Sequence, residues 1–238
     1  IYCLLVGKHL ISRRMRMHDR LVYSVLAATG VAIVCLAFFA HAQSASQAER
    51  DAQLSSYFPA LPITEHRRGS DSAPLQLYVY FDTDCPYCTR FHERTLPELL
   101  RRYKNDLAVS YLYMPLRSHP KAFGEALLAE CASKIGGEEY FWPAIDVLLR
   151  TELQAPLPTA DDIDRFATTL SIPVAPLTLC IDDGTARSRI RRDMQDAIFR
   201  DVGGVPTIIV SANGKQKMIA TANILKLQPV IDELYRIK

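Results

Sequence analysis

The sequence has no marked excess of charge of either sign. Its 238 residues carry 28 Lys and Arg against 26 Asp and Glu, which gives a formal net charge of +2. A domain that binds nucleic acid usually concentrates basic residues to neutralise phosphates, and this balance does not indicate one. We therefore expect no nucleic-acid partner. The length suffices for one domain with additional segments.

Cysteines are few, and only two of them stand close together. The chain has 6 cysteines, and its one paired-cysteine element is Cys85-Pro86-Tyr87-Cys88. A structural zinc site needs four ligands, and no second element of this kind is present to complete one. We therefore predict no metal site, although half of a metal site and a structural staple remain the alternatives for this element.

The Cys85-Cys88 pair lies between a predicted strand and a predicted helix. Residues 75–81 alternate and are rich in aromatics, and a helical pattern interrupted by Pro97 follows the pair. Two cysteines three residues apart are separated by one helical turn, so their sulfurs can close a small disulfide ring. Free amides at the helix start would stabilise a thiolate on Cys85, and Pro86 suits the first helical position. This context predicts a redox-active pair.

The first 42 residues have the pattern of an export segment. Basic residues 1–20, in which Met15 or Met17 is a candidate initiator, precede an uncharged run at 21–40 that is long enough to span a bilayer. The positive-inside rule keeps the basic residues in the cytoplasm and sends the rest of the chain outward. Ala40-His41-Ala42 fits a cleavage site, so residues 21–42 are either a signal peptide or a single inner-membrane anchor.

The remaining chain predicts a polar linker followed by an α/β domain. Residues 43–73 are rich in serine and small residues, as in a tether. Within residues 74–238, strands are expected at 107–114 and in a hairpin around Asn213-Gly214, and a last helix is expected to have Pro229 in its first turn. Two strands joined through a helix and followed by a hairpin make a mixed central sheet flanked by helices.

A helical subdomain is expected within this domain, at about residues 116–200. Apolar residues recur there at helical spacing, and both Cys131 and Cys180 lie on such apolar stripes. An exported domain permits disulfides, so we predict a structural Cys131-Cys180 disulfide, with two buried free thiols as the alternative. Trp142 is expected in the core of this subdomain, and four arginines at 187–192 indicate a solvated helix face.

Three separated stretches resemble the DsbA-type branch of the thioredoxin superfamily. They are residues 81–92 around the cysteine pair, residues 114–122 leading into the helix that carries Cys131, and residues 203–207. The resemblance implies a thioredoxin-like fold with an inserted helical subdomain, and a thiol-disulfide oxidoreductase without a cofactor. By the same resemblance, Cys85 is the exposed attacking thiol and Cys88 the buried resolving thiol. Val205-Pro206 is then the cis-proline loop of the substrate groove.

The expected function is the introduction of disulfides into unfolded exported proteins that carry free thiols. By resemblance, the protein is periplasmic or otherwise extracytoplasmic, and a membrane quinone-linked reoxidase restores its disulfide. Two alternatives stay open: a reductase or isomerase of the envelope, and a non-catalytic metal-binding or interaction module on a thioredoxin scaffold. Many relatives carry a buried acid six residues before the first cysteine as a proton relay, whereas this chain has Val79 there. Of the histidines, His92 is expected to have a surface or packing role and His119 to shape the loop before the first inserted helix.

Overall fold

A computed structural model of the chain describes residues 66–235, together with residues 29–30, 33–34, 37 and 41. The chain divides into two compact units, Ile1–Pro59 and Ala60–Lys238. The described residues of the first unit are helical. Among the described residues, no helix combines the length and the apolar character needed to cross a membrane. Most of the predicted export segment and linker lies outside the described residues.

The second unit is built on a mixed sheet, as the sequence predicts, and this sheet has five strands. Its strands are β1 (Arg67–Arg68), β2 (Leu75–Phe81), β3 (Leu107–Tyr113), β4 (Thr207–Ala212) and β5 (Lys215–Ala220), and their order in the sheet is β1-β3-β2-β4-β5. β2 pairs in parallel with β3 and antiparallel with β4. The two outer pairings, β1 with β3 and β4 with β5, are antiparallel.

The short strand β1 falls within residues that we interpreted from the sequence as linker. Arg67 pairs with Ser110 of β3, and the carbonyl of His66 accepts a hydrogen bond from the amide of Tyr111 at 3.0 Å. A strand of two residues has no periodicity that a sequence pattern can reveal. The domain therefore includes at least the last part of that segment.

Helices cover both faces of the sheet and are distributed along the chain as follows: α1 (Pro86–Arg90), α2 (Leu96–Tyr103), α3 (Ala122–Gly136), α4 (Glu138–Leu148), α5 (Ala160–Leu170), α6 (Val174–Asp182), α7 (Thr185–Phe199) and α8 (Ile224–Leu234). Along β2, Leu77 and Val79 belong to the larger core cluster, whereas Tyr78 and Tyr80 belong to a smaller one that includes Ala197 of α7. Successive side chains of a strand point to opposite faces, so β2 is covered on both sides.

A π-helical turn at Phe91–Thr95 separates α1 from α2. The amide of Leu96 bonds to the carbonyl of Phe91, five residues back, and Pro97 follows in the first turn of α2. Proline has no amide hydrogen to continue the regular ladder, and a π turn is a common way to absorb such an interruption. The irregularity predicted at Pro97 is therefore present as a π turn that begins six residues earlier.

The inserted helical subdomain comprises α3 to α7 and is centred on α3, which packs against α4, α6 and α7. The sulfurs of Cys131 in α3 and Cys180 in α6 are joined at 2.14 Å. Trp142 is buried, but its ring packs edge-on against Tyr111 of β3, with ring centroids 4.9 Å apart. It therefore joins the subdomain to the sheet rather than filling the subdomain alone.

Two details of the helices differ from the sequence interpretation. Arg189 of α7 is only 6% exposed because it pairs with Asp193, whose other carboxylate oxygen accepts the amide of Tyr113 at 3.0 Å. This arginine is therefore not part of a solvated face. The last helix begins at Ile224 after an Asn223 cap, so Pro229 lies inside the helix and not in its first turn.

Candidate active site

Cys85 follows the turn after β2, and Cys88 lies in the first turn of α1. Cys85 is the N-cap residue of α1 and has an extended backbone, while Pro86 follows at the first helical position. Both cysteines are free thiols. The carbonyl of Cys85 accepts the amide of Thr89 at 3.0 Å, which starts the helical ladder. The Cys85 sulfur is thereby held beside the free amides of the first helical turn.

The surroundings of Cys85 favour its thiolate. A hydrogen bond from the thiol of Cys88 lowers the pKa of Cys85 most, the amides of Cys88 and Tyr87 lower it further, and burial and the charge of Asp82 act in the opposite direction. The net effect lowers the pKa of Cys85 to about 6. A thiolate is the nucleophile in thiol-disulfide exchange, so Cys85 is largely in its reactive form at neutral pH.

Cys88 has the opposite character. Burial, followed by its interaction with Cys85, raises the pKa of the Cys88 thiol well above its ordinary value. It is 3% exposed. Cys85 is only 4% exposed, so the exposed thiol expected from the family resemblance is in fact covered. Its thiol donates to the carbonyl of Val205 at 3.7 Å, and Cys85 lines a neighbouring cavity.

The Val205-Pro206 peptide bond is cis and lies opposite the cysteine pair. Together with Tyr87, which is 60% exposed, these two residues line an open cavity of about 350 Å³. Arg90 of α1 and Lys226 of α8 also line it. A groove of this size beside a reactive sulfur can hold an extended peptide segment.

Asp82 is a site residue to which the sequence interpretation assigned no role. Its buried carboxylate accepts the amide of Leu116 and the ring of His119, each at 2.8 Å, and the amide of Asp84, also at 2.8 Å. Burial lowers the pKa of His119, but the hydrogen bond to Asp82 and the negative charges of Asp82, Cys85 and Asp84 together raise it. Asp82 thus ties the turn before Cys85 to the loop before α3.

Glu125 of α3 lies beside the same turn. It lines a second cavity, of about 340 Å³, together with Cys85 and Thr83. The residue is 2% exposed, and burial raises the pKa of its carboxyl to about 7. Neither Asp82 nor Glu125 is revealed by spacing alone, because each meets the cysteine turn only through the fold.

Among the residues that the structure describes, no cluster of three or more His, Cys, Asp and Glu side chains is arranged to hold a metal ion.

Comparison with known proteins places the chain in a family. A family model described as Thioredoxin matches residues 62–233. Curated relatives include the Na(+)/H(+) antiporter NhaA 1 of Mycobacterium sp. (strain KMS), 29% identical over 164 residues, and NhaA 3 of Salinispora tropica, 32% identical over 161 residues. Each match covers 66% of this chain, but only 25% and 23% of the relatives. The chain thus spans about a quarter of these proteins, and most of their length lies outside the match.

Solved structures with the same fold include DsbA proteins. DsbA2 of Pseudomonas aeruginosa has a TM-score of 0.60 and 23% identity, over 75% of this chain and 98% of that one. Alpha-DsbA1 of Wolbachia pipientis has a TM-score of 0.63 and 18% identity, over 76% and 95%. BdbD of Bacillus subtilis has a TM-score of 0.59 and 20% identity, over 71% and 91%. The chain therefore belongs to the thioredoxin family and has the fold of its DsbA-type branch of thiol-disulfide oxidoreductases.

Proposed function

We propose that the protein introduces disulfides into exported proteins through the Cys85-Cys88 pair. The observation that carries this proposal is the asymmetry of the pair, in which the pKa of Cys85 is lowered to about 6 while that of Cys88 is raised. Stabilising one thiolate favours the reduced pair over its disulfide. A pair that prefers to be reduced transfers its disulfide readily to other thiols.

The reaction takes place in two exchanges. A substrate thiolate attacks the Cys85 sulfur of the oxidised pair, a mixed disulfide forms on Cys85, and Cys88 leaves with the electron pair of the broken bond. A second substrate thiolate then attacks the substrate sulfur of the mixed disulfide. The substrate gains a disulfide, and Cys85 leaves as the thiolate that its surroundings stabilise. In the reverse direction Cys88 is the resolving thiol.

The groove lined by Val205 and Pro206 is suited to hold the substrate during these exchanges. An extended segment can pair with the Val205 backbone as an added strand, while Tyr87 offers an exposed aromatic surface beside it. We take the substrates to be unfolded exported chains with free thiols. A membrane quinone-linked reoxidase then restores the disulfide, and the domain lies outside the cytoplasm, with residues 21–42 as signal peptide or anchor.

A redox titration and an oxidation assay test this function. Equilibration with glutathione buffers should give a potential between about −270 mV, as in thioredoxin, and about −120 mV, as in DsbA, because a pKa of about 6 lies between the pKa values of those attacking cysteines. The oxidised protein should convert a reduced two-cysteine peptide to its disulfide form. The Cys85→Ser variant should not.

The same assays separate the alternatives. A potential at or below that of thioredoxin would favour a reductase, and faster reshuffling of a wrongly paired peptide than oxidation of a reduced one would favour an isomerase. A metal-binding module would retain stoichiometric metal after purification and fail to oxidise the peptide.

A further inference from the structure

A chain of three hydrogen-bonded side chains extends from the interior of the domain to its surface. The Nδ1 atom of His92 lies 2.8 Å from the hydroxyl oxygen of Tyr111, and its Nε2 atom lies 2.8 Å from Oδ1 of Asp146. Tyr111 is 1% exposed and His92 is 7% exposed, whereas the Asp146 side chain is 50% exposed. The Tyr111 end of this hydrogen-bonded chain is therefore buried, whereas the Asp146 end reaches solvent.

Tyr111, at the buried end of this chain, lies in the same core cluster as Cys88. His92 is four residues after Cys88, and residues four apart share one face of a helix. Burial raises the pKa of the Tyr111 phenol most, and the charge of Cys88 raises it further. Tyr111 pairs with Val79 in the register of β2 and β3. The phenol therefore projects from the neighbouring strand, at the level of Val79.

Cys88 needs a proton pathway because it reacts inside the protein. When a substrate thiolate attacks Cys85, Cys88 leaves as a thiolate in a buried site, where an unpaired charge is costly. In the reverse direction its thiol must lose a proton before it can attack. Water reaches Cys88 poorly, since only 3% of the residue is exposed.

We propose that Tyr111, His92 and Asp146 form a proton relay between Cys88 and solvent. This proposal rests on the proposed function, because it serves the exchange step at Cys88. The hydrogen bonds define one arrangement in which the relay is ready: His92 is neutral, its Nε2–H donates to Asp146, and its Nδ1 accepts the phenol hydrogen of Tyr111.

The proton balance of the relay closes in both directions. When Cys88 attacks a mixed disulfide on Cys85, its proton goes to the Tyr111 oxygen while the Tyr111 proton goes to Nδ1 of His92. The imidazolium then faces the Asp146 carboxylate and releases a proton to water at the exposed end. The Cys88 sulfur forms a bond to the Cys85 sulfur, and the substrate sulfur leaves as a thiolate with the electron pair of the broken mixed disulfide. Reduction of the pair runs the same steps backwards.

The charge state of His92 suits this role. Burial lowers the pKa of His92 more than Asp146 raises it, so the ring is neutral at pH 7 and can accept a proton. The other charged groups that act on it are Arg68 of β1, which lowers its pKa, and Glu93, which raises it. Besides burial, the charges of Cys88 and Asp146 raise the pKa of Tyr111, and that of Arg68 lowers it.

The relay is tested by separating the two exchanges in reduced protein mixed with glutathione disulfide. At low concentration the rate is limited by attack of Cys85 on glutathione disulfide, and at saturation it reaches a plateau set by attack of Cys88 on the mixed disulfide. We expect Tyr111→Phe to lower the plateau by about 100-fold at pH 7, the size of a general acid-base contribution, and to leave the low-concentration slope unchanged.

The pH profile distinguishes a relay from a packing role. Without the phenol, Cys88 depends on hydroxide, so the plateau of Tyr111→Phe should rise steeply with pH and approach that of the unaltered protein in alkali. Asp146→Asn, at the exposed end, should lower the plateau less and provides a second test if Tyr111→Phe is unstable. Tyr113→Phe is the matched control, because Tyr113 is an equally buried phenol of β3 that does not bond to His92.

The outcomes are distinct. A lower plateau with altered pH dependence in Tyr111→Phe and Asp146→Asn, but not in Tyr113→Phe, supports the relay. An unchanged plateau, or an equal loss in Tyr113→Phe, overturns it while leaving the proposed function intact. If no mixed disulfide forms on Cys85 in the unaltered protein, the proposed function fails and the relay fails with it.

Discussion

The chemistry of Cys85 depends on a few groups that meet at one sulfur. The strongest contribution to its lowered pKa comes from the Cys88 thiol, and the amides of α1 add to it. Asp82 acts in the opposite direction. Its carboxylate is held by two backbone amides and by His119, so this negative charge lies beside a group that can carry a compensating positive one.

The contribution of Cys88 to the thiolate can be measured by alkylation of Cys85. In the reduced protein, the rate of reaction with iodoacetamide should rise with pH around a midpoint near 6. Cys88→Ala removes the hydrogen-bond donor and should raise the midpoint by about one pKa unit or more. Cys88→Ser is the matched variant, because its hydroxyl can still donate, and its midpoint should shift less. Equal midpoints in all three proteins would contradict this assignment.

His119 should tune the same thiol through its charge. The pKa of His119 is raised by its hydrogen bond to Asp82, and the ring interacts with Cys85. Below that pKa the positive ring favours the Cys85 thiolate, so His119→Gln should raise the alkylation midpoint by about half a pKa unit to one unit. Arg117→Gln removes a positive charge from the exposed part of the same loop and is the control. A midpoint shift of the same size in both variants would show that only net charge matters.

At the scale of elements, the disulfide between α3 and α6 stabilises the inserted subdomain. Cys131 is fully buried and Cys180 nearly so, and the two are 49 residues apart in sequence. Linking them restricts the unfolded chain, because a closed loop of that length has fewer conformations. The linked helices pack on α4 and α7, which in turn contact the sheet through Trp142 and Asp193.

Removing this disulfide should lower stability without removing the redox chemistry. The double variant Cys131→Ala, Cys180→Ala should lose about 4 kcal/mol of unfolding free energy in the chain-entropy account, measured by urea denaturation of the oxidised forms. Alkylation of Cys85 should keep its pH midpoint at 25 °C. A double variant with unaltered stability would show that the unfolded chain gains little freedom when the disulfide is absent.

At the scale of the whole domain, His66 connects the sheet edge with the inserted helices. Its Nε2 atom lies 2.8 Å from Glu130 of α3, its amide donates to Glu138 of α4 at 3.0 Å, and its ring stacks on Phe141 at 3.8 Å. Burial lowers the pKa of His66, but the two carboxylates outweigh burial and raise it. A charged His66 is therefore favoured in the folded state.

This arrangement predicts a pH dependence of global stability. A histidine with a raised pKa in the folded state contributes stability that is fully present below about pH 6.5 and is lost as the pH rises through the folded pKa. Unfolding free energy should therefore fall as the pH rises across that window. His66→Asn should flatten this slope, and asparagine tolerates the backbone φ of 56° found there. Both proteins are measured in a His119→Gln background, because the pKa of His119 is also raised. A slope that persists in the His66→Asn, His119→Gln double variant would refute the role of His66.

Local spacing in the sequence determined the elements that depend on neighbouring residues. The strand β2 has the predicted bounds, and the turn of the predicted hairpin at Asn213-Gly214 forms with positive φ at both residues. Pro86 occupies the predicted first position of α1, directly after the N-cap residue Cys85, because the preference of proline for that position depends on backbone groups within one turn. The mixed sheet and the inserted helices likewise follow from periodicity and order along the chain.

Only the tertiary structure decided which distant groups share an environment. The sequence pattern placed Arg189 in water, whereas Asp193 and the covering strand hold it inside. It gave His92 a surface or packing role and expected His119 to shape the loop before α3. The fold brings Asp146 and Asp82, 54 and 37 residues away, within 2.8 Å of these two histidines. The burial of a side chain and the identity of its partners depend on contacts with remote segments of the chain. The local periodicity of the sequence therefore does not reveal them. For that reason the redox pair can be read from the chain, but the groups that tune it cannot.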